Sequence, residues 1–185
     1  MVRGSDRARL WTRNRNDISD RFPDIVAAAV QHLPAGVVLD GEPVILGADG
    51  RLSFDALQQR LVTSPAKARA TAAELPASYA AFDLLGVGGV DLRTQRWTVR
   101  RRRLEQLSKD WGPPLQLTPV TDDLDEATEW FELPPAAMGV GGLVVKGAAS
   151  RYTRGRQDAW VKVKHRETRE VIVGESSDRS ADPKS

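Results

Sequence analysis

The sequence predicts a mixed fold in which helices and strands alternate without an internal repeat. Three segments carry this prediction: residues 160–164 alternate between polar and apolar side chains, residues 37–46 contain two β-branched runs, and residues 23–33 repeat apolar side chains with helical spacing. The chain has 185 residues, 41% of them hydrophobic and 28% charged, which suffices for one domain with a hydrophobic core.

The chain begins with a predicted hairpin and an amphipathic helix. Residues 1–3, the turn-forming sequence Gly4-Ser5-Asp6 and residues 7–13 are typical of a strand, a turn and a return strand. Apolar side chains then recur at spacings of three and four residues from Phe22 to Leu33, and Pro23 suits a first helical turn. We therefore expect a helix that packs on the core over about residues 23–33.

Residues 37–46 predict a strand that carries carboxylates. Two β-branched runs flank the acidic step Asp40-Gly41-Glu42, and Ala48-Asp49-Gly50 predicts a hairpin after it. A buried carboxylate in an otherwise apolar sheet is costly unless something pairs with it. Glu42 is therefore expected either to pair with a buried arginine or to contact a ligand hydroxyl or a metal, and we favour the ligand.

Three further helices are expected. Ser53 can cap one of them, and the alanine-rich residues 66–73 either continue this helix or form a short one of their own. The next helix begins near Thr98 and contains the arginine run 100–103. Because successive helical residues lie about 100° apart, the run points around the helix. We interpret most of it as a solvated face, with phosphate contact as the minor alternative. The last helix spans about residues 126–138.

The composition excludes several classes of site. Without cysteine, the chain has no disulfide, zinc finger or thiol catalysis. Its two histidines, His32 at the end of the amphipathic helix and His165 beside a basic strand, favour neither a metal cluster nor a histidine-based nucleophilic triad. The sequence Gly86-Val87-Gly88-Gly89 is typical of a hairpin turn, since a dinucleotide site would need a third spaced glycine. No apolar run approaches the roughly 20 residues that span a bilayer, so we expect a cytoplasmic protein without a membrane partner.

The strand at residues 160–164 carries two lysines on one face and two valines on the other. Like charges at this spacing repel, so Lys162 and Lys164 indicate an anion, such as a phosphate chain, lying against that face. The alternative is an edge strand in which lysine prevents aggregation. A formal charge of only +2 makes the pI near 9.1 weak evidence for a nucleic-acid partner.

Five segments in order resemble the motifs of the adenylation domain of ATP-dependent DNA ligases, which share a covalent nucleotidyltransferase superfamily with RNA ligases and mRNA capping enzymes. They are residues 10–17 (motif Ia), 39–42 (motif III), 82–84 (motif IIIa), 139–146 (motif IV) and 160–164 (motif V). The similarity extends from residue 7 to about residue 174, and residues 142–166 look most like actinobacterial ligases. It implies an α+β nucleotidyltransferase fold, ATP-grasp-like, with antiparallel sheets flanked by helices around a nucleotide cleft.

The resemblance also implies a chemistry and a set of site residues. In intact relatives a lysine attacks ATP to form lysyl-AMP, AMP passes to the 5′-phosphate of a nick, and the 3′-hydroxyl displaces it in DNA replication, repair and recombination. The implied cofactors are ATP and Mg²⁺ or another divalent metal, and the implied partner is nicked double-stranded DNA. By resemblance Phe82 stacks on adenine, and Glu42 contacts the ribose and is a candidate metal ligand. The phosphate-facing residues are Arg13, Arg156, Lys162 and Lys164.

The alternative for Phe82 is ordinary core packing. In a regular strand Ala80 and Leu84 share its face, and the small alanine leaves room beside the ring for a flat ligand. The alternative for Arg156, which lies in a glycine-containing loop before motif V, is an ordinary surface arginine.

Two departures from the family pattern stand out. The Lys-x-Asp-Gly-x-Arg segment of motif I, whose lysine takes the AMP, does not occur, and no lysine precedes Lys67. Gly141 stands where motif IV carries an acidic metal ligand. We therefore expect no catalytic residue in this polypeptide and an N-terminally incomplete domain. A start codon misplaced downstream, a gene remnant, or another chain supplying motif I would each account for this.

These departures leave two functional classes open. Residues 1–174 are expected to form a partial adenylation domain, and residues 175–185 a disordered tail. In intact relatives an oligonucleotide-binding domain follows motif V, and it would begin about where this chain stops. One class is a DNA ligase of the ATP-dependent type. The other, which we favour for this polypeptide alone, is a non-catalytic nucleotide- or DNA-binding remnant or subunit with weak affinity. An RNA ligase or capping-type nucleotidyltransferase is a weaker alternative.

Overall fold

The structure is a computed structural model that describes residues 1–132, 142–153 and 159–164. Its main sheet has six strands: β1 (Val2–Arg3), β2 (Ala8–Arg9), β3 (Val38–Ile45), β4 (Ala77–Val87), β5 (Val90–Asp91) and β6 (Leu115–Leu117). The strand order is β2-β1-β3-β4-β5, all antiparallel, and β6 adds to β4 in parallel at Tyr79–Ala81. The second sheet, which we call the ribbon, is the antiparallel pair β7 (Gly142–Lys146) and β8 (Trp160–Lys164). The expected α+β fold with antiparallel sheets is confirmed.

In the described residues five α-helices flank these sheets: α1 (Pro23–His32), α2 (Phe54–Val62), α3 (Ala68–Glu74), α4 (Trp97–Leu107) and α5 (Leu124–Glu132). The N-terminal hairpin, the helix entered through Pro23 and the cap at Ser53 are as expected, with the Ser53 hydroxyl accepting the Ala56 amide at 3.2 Å. The alanine-rich stretch forms a separate α3. The last helix is described over Leu124–Glu132, and residues 133–138 of the expected helix lie outside the described residues. In the described ranges, no helix combines the length and apolar character that a membrane crossing requires.

The core lies on one face of the main sheet. Leu39 and Ile45 of β3 and Tyr79 and Ala81 of β4 are buried there together with side chains of α1 such as Ile25. Close packing accounts for the glycine in the Asp-Gly-Glu step. A Cβ at Gly41 would lie 2.3 Å from the Ala80 carbonyl oxygen and 2.8 Å from the Tyr79 ring. Only glycine allows β3 and β4 to approach this closely at that point.

A β-bulge in β4 changes which residues share a face. Asp40 pairs with Asp83 whereas Gly41 pairs with Ala81, so Phe82 is an extra residue in the ladder. The expectation that Leu84 shares the face of Phe82 is therefore wrong. Leu84 lies opposite Leu39 and is buried in the core.

The arginine run in α4 is not mainly a solvated face, and this expectation is also wrong. Arg100 is 0% exposed and Arg101 is 8% exposed, whereas Arg102 and Arg103 are exposed. Successive side chains of a helix point in different directions, so two of these four arginines point into the protein. There a carboxylate pairs with Arg100. Periodicity alone does not reveal that partner.

Candidate nucleotide site

The polar face of the main sheet is built from β3 and β4. Asp40 lies opposite Asp83 and Glu42 lies opposite Ala80, and residues directly opposite in an antiparallel pair share a face. This polar face lies on the other side of β3 from Leu39 and Ile45. Phe82 is half-buried and does not belong to the core cluster, so simple core packing does not account for it.

Glu42 is exposed, which corrects the expectation that its carboxylate is buried in an apolar sheet. Its position in the alternation of β3 directs it away from the core. Among the described residues Glu42 has no hydrogen bond or ion pair, so no buried arginine takes it as a partner. Its contact with a ribose or a metal stays a prediction.

Asp83 and Arg100 form a fully buried ion pair beneath the polar face. Arg100 Nε and Nη2 donate to the two Asp83 carboxylate oxygens, each at 2.8 Å. Arg100 Nη1 donates to the carbonyl oxygens of Gln95 at 2.6 Å and Ser150 at 3.3 Å. Because removing two charges from water is costly, the bidentate geometry and the additional acceptors are what make the pair tolerable.

Lys146 of β7 reaches the same carboxylate from the ribbon. Its Nζ lies 3.9 Å from Asp83 Oδ2 and 4.3 Å from the ring centroid of Trp160, its partner in β8. Burial lowers the pKa of the Lys146 ammonium, and the charge of Asp83 opposes that shift. Lys146 is therefore a partly desolvated cation held between a carboxylate and an aromatic face.

The loop between β7 and β8 fastens the ribbon to α4. The amides of Trp97 and Thr98, at the start of α4, donate to the carbonyl oxygens of Ser150 at 2.7 Å and Ala148 at 3.3 Å. First-turn amides have no partner within their own helix, so the loop supplies the acceptors that they need. The Trp160 indole donates to the Ser150 hydroxyl at 3.0 Å and completes the attachment.

Three lysines share one face of the ribbon, which we call the lysine face. The register places Lys146 opposite Trp160, Val144 opposite Lys162 and Gly142 opposite Lys164. Lys162 and Lys164 are exposed, and they lie on the same face as the lysine that contacts Asp83. The expected alternation of residues 160–164 is thus observed. In the described part of the chain no hydrogen bond or ion pair joins Lys162 or Lys164 to Glu42. The convergence of these two lysines with Glu42 and Phe82 on one cleft stays a prediction.

The remaining candidate residues are less constrained. Arg13 is exposed at the tip of a tight loop, where the Thr12 amide donates to the Asn16 carbonyl at 2.9 Å. Arg156 and Gly141 lie outside the described residues. Within the described ranges, no group of three or more histidine, aspartate or glutamate side chains could hold a metal ion, so a metal role for Glu42 stays a prediction.

Sequence reasoning missed the residues that connect the two sheets, namely Asp40, Asp83, Arg100, Lys146 and Tyr152. A signal existed for Asp83: an aspartate within the strand Ala77–Val87 of small and apolar residues needs a buried cation, and the arginine run is close in sequence. Lys146 stands at the end of the motif IV segment. For Tyr152, in a loop between two strands, the sequence holds no comparable signal.

Comparison with known proteins identifies the family. A family profile described as "ATP dependent DNA ligase domain" matches residues 1–164. The chain belongs to this ligase family. It is 36% identical over 173 residues to DNA ligase C2 of Mycolicibacterium smegmatis, across 94% of this chain and 48% of that protein. DNA ligase C of Mycobacterium tuberculosis is 34% identical over 175 residues, across 92% and 48%. The expected similarity to actinobacterial ligases is confirmed.

Solved ligase structures share the fold of this ligase-family chain. The ligase domain of LigD from M. tuberculosis matches with a TM-score of 0.64 and 30% identity over 85% of this chain and 47% of that chain. A mycobacterial DNA ligase D complexed with ATP and MES matches with the same TM-score, identity and coverage. The chain thus spans about half the length of the ligase C proteins and of these ligase structures.

Proposed function

We propose that this ligase-family chain binds ATP between the polar face of the main sheet and the lysine face of the ribbon. The observation that carries the proposal is the contact of Lys146 with Asp83, since it brings the lysine face against the sheet that bears Glu42 and Phe82. A carboxylate, a half-buried aromatic ring and a row of lysines match the ribose, the base and the phosphates of a nucleotide.

The role proposed for each residue comes from the motif resemblance, and this orientation of the two sheets supports it for Glu42, Phe82, Lys162 and Lys164. Phe82 stacks on adenine beside the small Ala80, and Glu42 accepts a hydrogen bond from the ribose. Lys162 and Lys164, with Arg13 and Arg156, face the phosphates. Mg²⁺ or another divalent metal accompanies ATP, with Glu42 as a candidate ligand. The DNA ligase D structure complexed with ATP supports the choice of nucleotide.

The proposed function of the whole protein is the sealing of nicks in double-stranded DNA through lysyl-AMP and adenylated DNA. The relatives that are named DNA ligases support this substrate, and they favour it over the RNA of RNA ligases and capping enzymes. Replication, repair and recombination all generate such nicks. We propose a cytoplasmic protein that meets its DNA there, and weak DNA affinity for these 185 residues alone.

For the polypeptide of 185 residues we propose nucleotide binding without self-adenylation, because no lysine precedes Lys67 and motif I is absent from it. The test is incubation with α-labelled ATP and Mg²⁺, followed by denaturing electrophoresis, with DNA ligase C2 of M. smegmatis as the positive control. We expect a labelled band for the control and none for this chain. A covalent label on this chain would overturn the proposal.

The alternative is a catalytic ligase whose motif I comes from coding sequence upstream or from a second chain. Reading the adjoining genomic sequence, in frame, for Lys-x-Asp-Gly-x-Arg distinguishes the first case. Adding a peptide that contains such a motif to the labelling reaction tests the second case, because label would then appear on the peptide.

A further inference from the structure

We propose that Tyr152 is a positioning residue that holds the lysine face of the ribbon over the polar face of the main sheet and thereby sets nucleotide affinity. The second half of this proposal rests on the nucleotide binding proposed above. The first half concerns the structure of the chain alone and is tested without a ligand.

Tyr152 joins three elements at one point. Its hydroxyl donates to Asp40 Oδ2 of β3 at 3.1 Å. Its ring meets the Trp160 ring of β8 edge-on, with centroids 5.6 Å apart and planes at 75°. The guanidinium of Arg100 in α4 lies 5.8 Å from the Tyr152 ring centroid. A single side chain thus contacts the main sheet, the ribbon and the helix that neutralises Asp83.

The ribbon depends on such a contact because it has little apolar packing of its own. Val144, Val145 and Val161 are each more than half exposed. An isolated two-stranded ribbon is marginally stable in water, so its position must come from attachments to other elements. Of the attachments to main-sheet side chains in the described residues, Lys146 to Asp83 at 3.9 Å is beyond hydrogen-bonding distance, whereas Tyr152 to Asp40 is a directional hydrogen bond.

The electrostatics of the polar face indicate why a phenol occupies this position. Asp40 and Asp83 lie directly opposite each other, an arrangement in which like charges repel. Arg100 neutralises the charge of Asp83, whereas Asp40 accepts a hydrogen bond from the uncharged Tyr152 hydroxyl. Burial and the neighbouring Asp40 raise the pKa of Tyr152 to about 12, so the hydroxyl keeps its proton and remains a donor at neutral pH.

The variant Tyr152→Phe removes only the hydroxyl and keeps the ring contacts with Trp160 and Arg100. We expect amide hydrogen exchange of residues 142–146 and 160–164 to quicken about tenfold, because losing a net hydrogen bond of ~1.4 kcal/mol shifts a local opening equilibrium by that factor. Exchange in β3 and β4 should stay unchanged. Tyr79→Phe is the matched control, since it removes the hydroxyl of the other tyrosine within the core and should leave the ribbon unaffected.

Variants of Asp40, which accepts the Tyr152 hydrogen bond, provide a second test. Asp40→Ala should quicken ribbon exchange as Tyr152→Phe does, and combining the two should add little, because both remove the same hydrogen bond. Asp40→Asn keeps an oxygen that accepts from the phenol and should restore most of the protection. Titration of the full chain with Mg-ATP should show affinity three- to tenfold weaker in Tyr152→Phe than in the unaltered chain.

The outcomes separate the two halves of the proposal. Ribbon exchange that is unchanged in Tyr152→Phe overturns the positioning role, whatever ATP does. Faster exchange with unchanged ATP affinity overturns the link to the nucleotide site. Faster exchange in Tyr152→Phe, together with no ATP binding by the unaltered chain, supports the positioning role and overturns the proposed nucleotide binding.

Discussion

The main sheet and the ribbon differ in the burial and pairing of their charged side chains. Around the main sheet two arginines are buried and paired: Arg100 with Asp83, and Arg60 with Asp24 and the carbonyl oxygens of Arg21 and Leu75. In the ribbon, Lys162 and Lys164 are exposed and stand on strands with little apolar cover. These two buried arginines are therefore used in internal ion pairs, whereas Lys162 and Lys164 of the ribbon are left exposed to solvent.

This division is what the physics of stability predicts for a binding site. Surfaces that engage a ligand keep unsatisfied charge, and that charge disfavours tight packing against other elements. In the proposed site the main sheet supplies Glu42 and Phe82, and the ribbon supplies cations that Tyr152, Lys146 and the loop at Ser150 attach to the sheet. The predictions below test whether the two regions differ as much as their contacts suggest.

The largest expected effect is from Arg100→Met, which removes the bidentate partner of the buried Asp83 carboxylate and leaves the Lys146 ammonium, 3.9 Å away, as its remaining cation. We expect the free energy of unfolding to fall by about 3–5 kcal/mol, measured by urea denaturation. Arg102→Met, an exposed position in the same helix, should change it by no more than about 0.5 kcal/mol. Adding Asp83→Leu to Arg100→Met should recover much of the loss. A fall below about 1 kcal/mol for Arg100→Met would contradict the prediction and show that Lys146 or water compensates the Asp83 charge.

The second prediction compares a glycine from each region. In Gly41→Ala the new Cβ would meet the Ala80 carbonyl oxygen at 2.3 Å, and that oxygen belongs to the β3–β4 ladder. We expect a loss of about 1–3 kcal/mol in the free energy of unfolding, or more. In Gly147→Ala, beside the ribbon, the nearest atoms lie at 3.5 to 3.8 Å, and the change should be neutral or slightly stabilising. Equal losses in both variants would contradict the proposed difference in packing.

The sequence predicts the regular parts of this fold because their signals are local. The period of α1, the cap at Ser53 and the alternation in β8 depend on neighbours within a few residues. The errors arise where a distant partner decides the outcome. Arg100 is buried because Asp83 faces it, and Leu84 joins the core because one extra residue at Phe82 shifts the register.

The candidate site shows the same limit. Motif resemblance indicates Glu42, Phe82, Lys162 and Lys164, since each belongs to a short segment with a characteristic sequence. The resemblance does not indicate how the sheets meet, because that depends on single contacts between residues far apart in the chain, such as Tyr152 with Asp40. A short stretch of sequence cannot reveal a contact between residues that lie so far apart in the chain.

The third prediction concerns ATP and the lysine face. We expect an affinity no tighter than the millimolar to high-micromolar range, about 4 to 6 kcal/mol, which weakens steeply with added salt because exposed lysines act mainly through charge. Lys162→Gln should weaken binding about three- to tenfold, whereas Lys67→Gln, exposed ahead of α3, should have little effect. Calorimetric titration at low and high salt provides the measurement. Tight binding that is insensitive to salt would show a closed and complete pocket.

The smallest expected effect concerns Asp91 and Arg93, which form the same bidentate pair as Asp83 and Arg100 but in water. Arg93 Nε donates to Asp91 Oδ1 at 2.9 Å and Nη2 to Oδ2 at 2.7 Å. These hydrogen bonds lower the pKa of Asp91 from 3.8 to about 2. Any stability that the pair contributes is therefore present above pH 3.8 and is lost as the pH falls toward 2.

A carboxyl-carbon NMR titration of Asp91 should give a midpoint near 2, and Arg93→Gln should return it to an ordinary value. Because solvent screens this exposed pair, Asp91→Asn should leave the urea midpoint at neutral pH nearly unchanged, in contrast to Arg100→Met. If Asp91 titrated at its ordinary pKa, the pair would not persist in solution. If Asp91→Asn destabilised the chain as much as Arg100→Met, burial would not be what separates the two pairs.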